Sequence, residues 1–283
     1  MRLDQCHSFN DFRTLARKRL PRPIFDYIDG GADDEVTLRK NTAAFDRCDL
    51  VPSVLNGASE IDLSVTMLGQ ALDLPVYCSP TALQRLFHHR GEHAVGAAAA
   101  AHGTLFGCSS LGTVSLEALR AAHATPQAYQ FYFHRDRGLN RAMLDRAKAA
   151  NVDVMMLTVD AITGGYRERD LRSGFTVPMR LSIASLLEFA RKPRWAVDYL
   201  TKERFALPQL DAHIDMGSNA MSVGGYFTEM LDPTMTWDDV AALLEAWDRP
   251  FCLKHVDVKL KNTLGDVVTS VPLPTEVRIC LVQ

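Results

Sequence analysis

The 283-residue sequence is notable first for what it does without. It contains no run of 18 apolar residues, which excludes a membrane-spanning helix. Its opening, MRLDQCHSFNDFRTLARKRL, has no apolar stretch that could act as a secretion signal. The six cysteines (Cys6, Cys48, Cys78, Cys108, Cys252 and Cys280) include no C-x-x-C pair, so neither a disulfide framework nor a thiolate metal site is expected. Neither sign of charge dominates. A formal net charge of −3 gives no global field suited to nucleic acid. The sequence has no G-x-G-x-x-G after a strand and no G-x-x-x-x-G-K-[ST], which removes the main support for dinucleotide-binding and P-loop readings. H-E-x-x-H and G-x-S-x-G are missing as well. These absences leave the expectation of a reduced, soluble, cytoplasmic protein of enzyme size.

What is present is patterned. With 47% hydrophobic and 23% charged residues, the chain can bury a sizeable core. SFNDFRTLARKRL reads as a helix capped at Ser8 or Asn10 and stopped near Pro21. PIFDYIDGGADDEVTLRKNTAAFDRCDL reads as two helices broken at Gly30-Gly31. From there on, short apolar runs alternate with helical periodicity. LPVYCSPTA (74–82), TLFGCSS (104–110), QAYQFYF (127–133), VDVMMLTVD (152–160) and PFCLK (250–254) read as strands. EHAVGAAAAAHG, Ser115 to Ala122, GLNRAMLDRAKAAN and TWDDVAALLEAWD read as the intervening helices. Such alternation predicts βαβ units and a parallel sheet, with an α/β barrel favoured over an open Rossmann sheet. The expected division is a helical segment over 1–72, a barrel over 73–254 and a tail over 255–283.

In such barrels the chemistry sits at the C-terminal strand ends. Those ends carry Ser79-Pro80-Thr81-Ala82, Ser109-Ser110, Gln130-Phe131-Tyr132, Thr158-Val159-Asp160 and Lys254. Each alone has a bland explanation: a serine as helix cap, Gln130 as core filling, Asp160 as a turn. Lys254 stands out, because a lysine ending a buried run needs a counter-charge or an anionic ligand.

These motifs resemble, in order, the FMN-dependent 2-hydroxy acid dehydrogenase and oxidase family. The resemblance is carried by FDYIDGGADDEVTLRKNTAAFDR, SPTALQRLFHHRGE, YQFYFHRDR, LTVDAITGGYRERD and PFCLK, and it spans about residues 8–254. GGYRERDLRSGFTVPMRLS with PRWAVDYL is most similar to the mandelate dehydrogenase branch. The resemblance implies a TIM-barrel fold, FMN as cofactor, oxidation of a small (S)-2-hydroxy acid such as lactate or mandelate, and a homo-oligomer. Pro80, Thr81 and Ala82 would lie with their backbone along the flavin N5 edge. Ser109, Gln130 and Thr158 would hydrogen-bond the ring, and Lys254 would sit near N1 and O2. Tyr27 and Tyr132 would contact the substrate, Arg167 would pair with its carboxylate, and Asp160 would support an imidazole base. That assignment is chemically coherent, since the reaction needs a base, a carboxylate clamp and positive charge for the reduced ring.

The resemblance ends abruptly at Lys254. The family continues with a Ser-Asn-His-Gly-Gly strand end, an Arg-Gln-Leu-Asp and glycine-rich phosphate turns, where this sequence reads HVDVKLKNTLGDVV. Twenty-nine residues are too few for three further βα units of roughly 30 residues each. The expectation is therefore an incomplete barrel with impaired turnover, since loss of the base alone removes a factor of roughly 10² to 10⁴. A second expectation is an inactive family fragment that at most binds or assembles with a partner. His255 directly follows Lys254 and would face the opposite side of a continuing strand, so it is a poor substitute for the base. A turn is expected near Leu264-Gly265-Asp266, and EVRICLVQ reads as one more strand.

Residues 179–215 interrupt the alternation, mixing Leu186, Leu187, Phe189 and Trp195 with Arg191, Lys192, Arg194 and Lys202. Two readings stand: an interfacial segment resting on an anionic bilayer, or an active-site loop with a solvated charged face.

Overall fold

The computed structural model describes residues 2–57, 59–161, 164–176, 183–210, 223–254 and 278–280. The chain opens with three helices, α1 (Phe9–Arg19), α2 (Arg22–Asp29) and α3 (Val36–Ala43). Ser8 caps α1: its hydroxyl accepts from the Asp11 amide, and Asp11 returns the bond to the Ser8 amide. Pro21 ends the helical run and presets the start of α2.

A short antiparallel hairpin follows, β1 (Val65–Met67) and β2 (Gln70–Leu72). It was not anticipated in a segment read as helical. Its two-residue turn, Leu68-Gly69, has φ of 52° and 74°, the left-handed pair that matches strand twist.

The main sheet is parallel in the order β3 (Phe106–Ser109), β4 (Gln127–Tyr132), β5 (Val154–Thr158), β6 (Phe251–Lys254) and β7 (Arg278–Cys280). Helix α4 (Glu92–Ala101) precedes β3, α5 (Leu116–Ala122) links β3 to β4, and α6 (Arg137–Ala149) links β4 to β5. Between β5 and β6 lie α7 (Glu168–Ser173), α8 (Ile183–Ala190), α9 (Pro193–Thr201), α10 (Val223–Met230) and α11 (Trp237–Ala246). The expected strand over 74–82 is reduced to a single parallel bridge, Cys78 to Phe106. Pro75 and Pro80 remove two backbone donors from that stretch, so it cannot sustain a ladder. The strand expected in EVRICLVQ is present as β7, paired with β6. The turn expected at 264–266 lies outside the described residues.

The two faces of the sheet are distinct. Phe106, Cys108, Tyr129, Phe131, Met155, Leu157, Phe251 and Leu253 belong to the large core under the helices. The residues between them face the other way, as strand alternation requires. Leu105, Ala128, Val154, Met156 and Cys252 form a second apolar cluster with Leu68 and Leu72 of the hairpin. That inner face is apolar at its N-terminal end. Continued two residues at a time toward the C-terminal end, the same alternation reaches Ser109, Gln130, Thr158 and Lys254.

Candidate functional site

The polar end of the inner face is built by strand register. Ser109 lies opposite Gln130, and Thr158 opposite both Tyr132 and Lys254. The Ser109 hydroxyl donates to Gln130 Oε1 at 3.1 Å, and Gln130 Nε2 donates to Thr158 Oγ1 at 3.0 Å. All three side chains are buried. Buried polar groups of this kind must be paired, and each here finds its partner on the next strand. Gly107 leaves room for this line to form. A Cβ there would stand 2.7 Å from Pro80 Cδ and 3.0 Å from the Cys78 carbonyl, so the backbone of 78–80 approaches β3 only because residue 107 is glycine.

Lys254 continues the line. Burial holds its ammonium below the usual lysine range, while the charge of Asp160 acts to raise it. Asp160 itself is exposed, two residues beyond Thr158. Tyr132 sits two residues beyond Gln130, and burial raises its hydroxyl well above the ordinary value. Tyr27, brought in by α2, is pushed up to about 12, chiefly by burial. Both phenols therefore remain protonated donors across the physiological range. Pro80 and Ala82 are half-buried and Thr81 is exposed, on the segment that crosses the end of β3.

Arg167 departs from the simple expectation of an open carboxylate clamp. Its Nε donates to Asp170 at 2.6 Å, its Nη2 donates to the Tyr27 carbonyl, and the guanidinium lies 5.1 Å from the Tyr27 ring centroid. It is held by Asp170 of its own helix and packs against Tyr27. Two aromatic residues that the sequence reading passed over complete this wall: Phe175 stacks on Tyr27 at 4.6 Å and Phe87 at 6.3 Å. The i, i+3 spacing of Arg167 and Asp170 was the readable signal for this ion pair. The stacked phenylalanines left no such signal. His255 and the stretch to which the resemblance assigns the base and the phosphate turns lie outside the described residues.

The donor set fits a flavin: a line of hydroxyl and amide groups for the polar edge of a planar ring, and a lysine at the end where the reduced ring carries charge. Parallel strands delivering such groups from their C-terminal ends define an α/β barrel mouth of the cofactor-binding kind. Residues 16–261 match the model of the FMN-dependent dehydrogenase family, and the chain belongs to that family. It is 36% identical over 263 residues to an L-lactate dehydrogenase of Caulobacter vibrioides, covering 91% of this chain and 68% of that protein. It is 36% identical over 250 residues to an L-lactate oxidase of Nostoc, covering 87% of this chain and 63% of the relative. A Mycobacterium tuberculosis relative, 35% identical, is spanned over 60% of its length. Among solved structures, the monotopic membrane protein (S)-mandelate dehydrogenase superposes with a TM-score of 0.79 at 26% identity, over 89% of this chain and 67% of that one. The fold is thus that of the FMN-dependent TIM-barrel 2-hydroxy acid enzymes.

Proposed function

We propose that the chain binds FMN across the C-terminal ends of β3 to β6 and, within the whole protein, oxidises an (S)-2-hydroxy acid of the lactate or mandelate type to the 2-oxo acid. The observation that carries this reading is the buried Ser109–Gln130–Thr158 line ending at Lys254. FMN, when bound, supplies the hydride acceptor. Ser109, Gln130 and Thr158 would hold its polar edge by hydrogen bonds, and the backbone of Pro80, Thr81 and Ala82 would hold the ring from the segment crossing β3. Lys254 places positive charge where negative charge develops, a preorganised electrostatic contribution. Tyr27 and Tyr132 orient the substrate's carboxylate and hydroxyl as donors. Arg167 forks onto the carboxylate once it exchanges Asp170 for substrate, a match that a lysine could not reproduce. Asp160 stabilises the charged form of the base that receives the hydroxyl proton.

The test is anaerobic addition of (S)-lactate or (S)-mandelate to the FMN-loaded protein. Loss of the flavin's visible band supports the reading, and a band unchanged by either acid counts against it. Lys254→Met is expected to slow that bleaching by roughly 10² to 10³, the usual cost of removing one charge-stabilising group.

We also propose that the α8–α9 region rests on a membrane surface. Among the described residues no helix is long and apolar enough to cross a bilayer. Leu187, Val197 and Leu200 are nevertheless exposed beside Arg191, Lys192 and Arg194, a mixture suited to an anionic interface. Co-sedimentation with vesicles containing phosphatidylglycerol, abolished by Leu187→Glu with Leu200→Glu, is the expected result. Equal pelleting of wild type and variant would contradict it.

A further inference from the structure

Beside the mouth, but separate from the Ser109–Lys254 line, is a partly enclosed cavity of about 270 Å³ between α1, the 85–89 loop and α9. Three features of its lining point to one class of ligand.

The first is charge. Six permanently cationic side chains line it against two carboxylates, Asp198 and Glu203. The second is an unmet hydrogen-bonding demand. Arg85 Nε and His89 Nδ1 are both buried and have no hydrogen-bond partner among the described residues. The Arg85 side chain is only 12% exposed, and its Nη2 is engaged by Glu203, which leaves the Nε edge unanswered. Buried donors are rarely left in this state without a ligand or water. Asp198 approaches the His89 Nδ1 only to 3.8 Å, too far for a hydrogen bond. The third is the aromatic wall. Trp195 is fixed by donation to the Leu86 carbonyl and stacks on Tyr199 at 5.0 Å, and Phe87 and Phe205 face the same space.

We propose that this cavity is a binding site for a small aromatic carboxylate, with the carboxylate on Arg85 and His89 and the ring against Trp195. The volume suits that class, since a cavity of about 150 Å³ already admits benzene. A guanidinium edge recognises a planar carboxylate by geometry as well as charge. An inorganic anion would satisfy the donors but leave the aromatic wall idle. Phe87 lines this cavity and also stacks toward Tyr27 of the mouth, so the occupant touches the substrate wall from behind. Glu203, with 71% of its side chain exposed, is the internal competitor for Arg85.

The experiment uses benzoate as probe on the full chain without flavin or turnover, reading tryptophan fluorescence and calorimetry. Saturable binding is expected, weakened at least tenfold in Arg85→Gln and in His89→Gln. Glu203→Gln, a change at an exposed side chain, is expected to tighten it several-fold. Lys254→Gln, in the flavin mouth, is expected to leave it unchanged. Cyclohexanecarboxylate and inorganic phosphate are the comparison ligands, and both are expected to bind more weakly than benzoate. The proposal is overturned if benzoate does not bind, if Lys254→Gln abolishes binding, or if folded Arg85→Gln and Glu203→Gln both bind as wild type does. Phosphate displacing benzoate at equal concentration would also overturn it, by revealing a plain anion site. Because no flavin is present, failure here is distinguishable from failure of the dehydrogenase reading.

Discussion

In the sheet, Gln130 is 3% exposed and both ends of its amide are used by hydroxyls on the neighbouring strands. In the helices inserted between β5 and β6, the helical cap, Arg191 and Arg172 reach Glu188 and Glu168 one turn away, with 70% and 74% of their side chains in solvent. The two regions handle polarity in opposite ways. Strand register leaves Gln130 little freedom to find another partner, so its bonds specify a geometry. The cap's ion pairs sit in high dielectric and can be exchanged, so they specify little. Between these extremes lies a partly buried network in which Asp29 joins Arg13 and Arg169, and Arg169 reaches Glu35. Hydrogen bonding to Arg13 holds the Asp29 carboxyl below its ordinary range. The lesson is about where a precise site can be built: on the sheet, with the cap supplying charge and access.

The contrast can be tested in order of expected effect. The largest concerns His134, fully buried just beyond β4. Its Nε2 lies 2.6 Å from the Tyr226 hydroxyl, and its backbone amide donates to Asn140. Burial depresses its pKa to about 4, below the ordinary 6.5. The unfolded chain therefore binds this proton more readily. Stability is full above about pH 6.5 and falls as the pH drops toward 4, by up to roughly 3 kcal/mol. Denaturant titrations across that window should show the slope in wild type and a flattened one in His134→Gln. An unchanged slope would mean that the sheet-side polar cluster is less closed than its geometry indicates.

Next is Gln130→Leu, which leaves the Ser109 and Thr158 hydroxyls without this partner. It is expected to cost about 1 to 3 kcal/mol, measured as a lower denaturation midpoint. The smallest effect is expected for Arg191→Ala in the cap, at most about 0.5 kcal/mol and salt-dependent. If the cap substitution matched the sheet substitution, the comparison would collapse.

The sequence made much of this visible, for identifiable reasons. The strands from β3 to β6 announce themselves as apolar runs ending in hydroxyl, amide or lysine, and their register then brings those ends together. The α1 cap was readable because Ser8 and Asp11 stand at capping-box spacing. Other features depend on contacts that no local pattern records. α10 contains VGGYFTEM, whose paired glycines argue against a helix, yet Tyr226 anchors it to His134. The hairpin at 65–72 was obscured by its brevity, three residues per strand. The hold of Arg167 on Asp170 and on the Tyr27 carbonyl emerges only in three dimensions.

The line from Ser109 to Lys254 is proposed above as the flavin site. The most direct measurement is the visible spectrum of the purified chain after incubation with excess FMN and desalting. A flavin site there retains the flavin band in wild type and loses it in a Gln130→Leu variant shown to be folded by circular dichroism. A colourless wild type, or a folded variant retaining as much flavin as wild type, would contradict it.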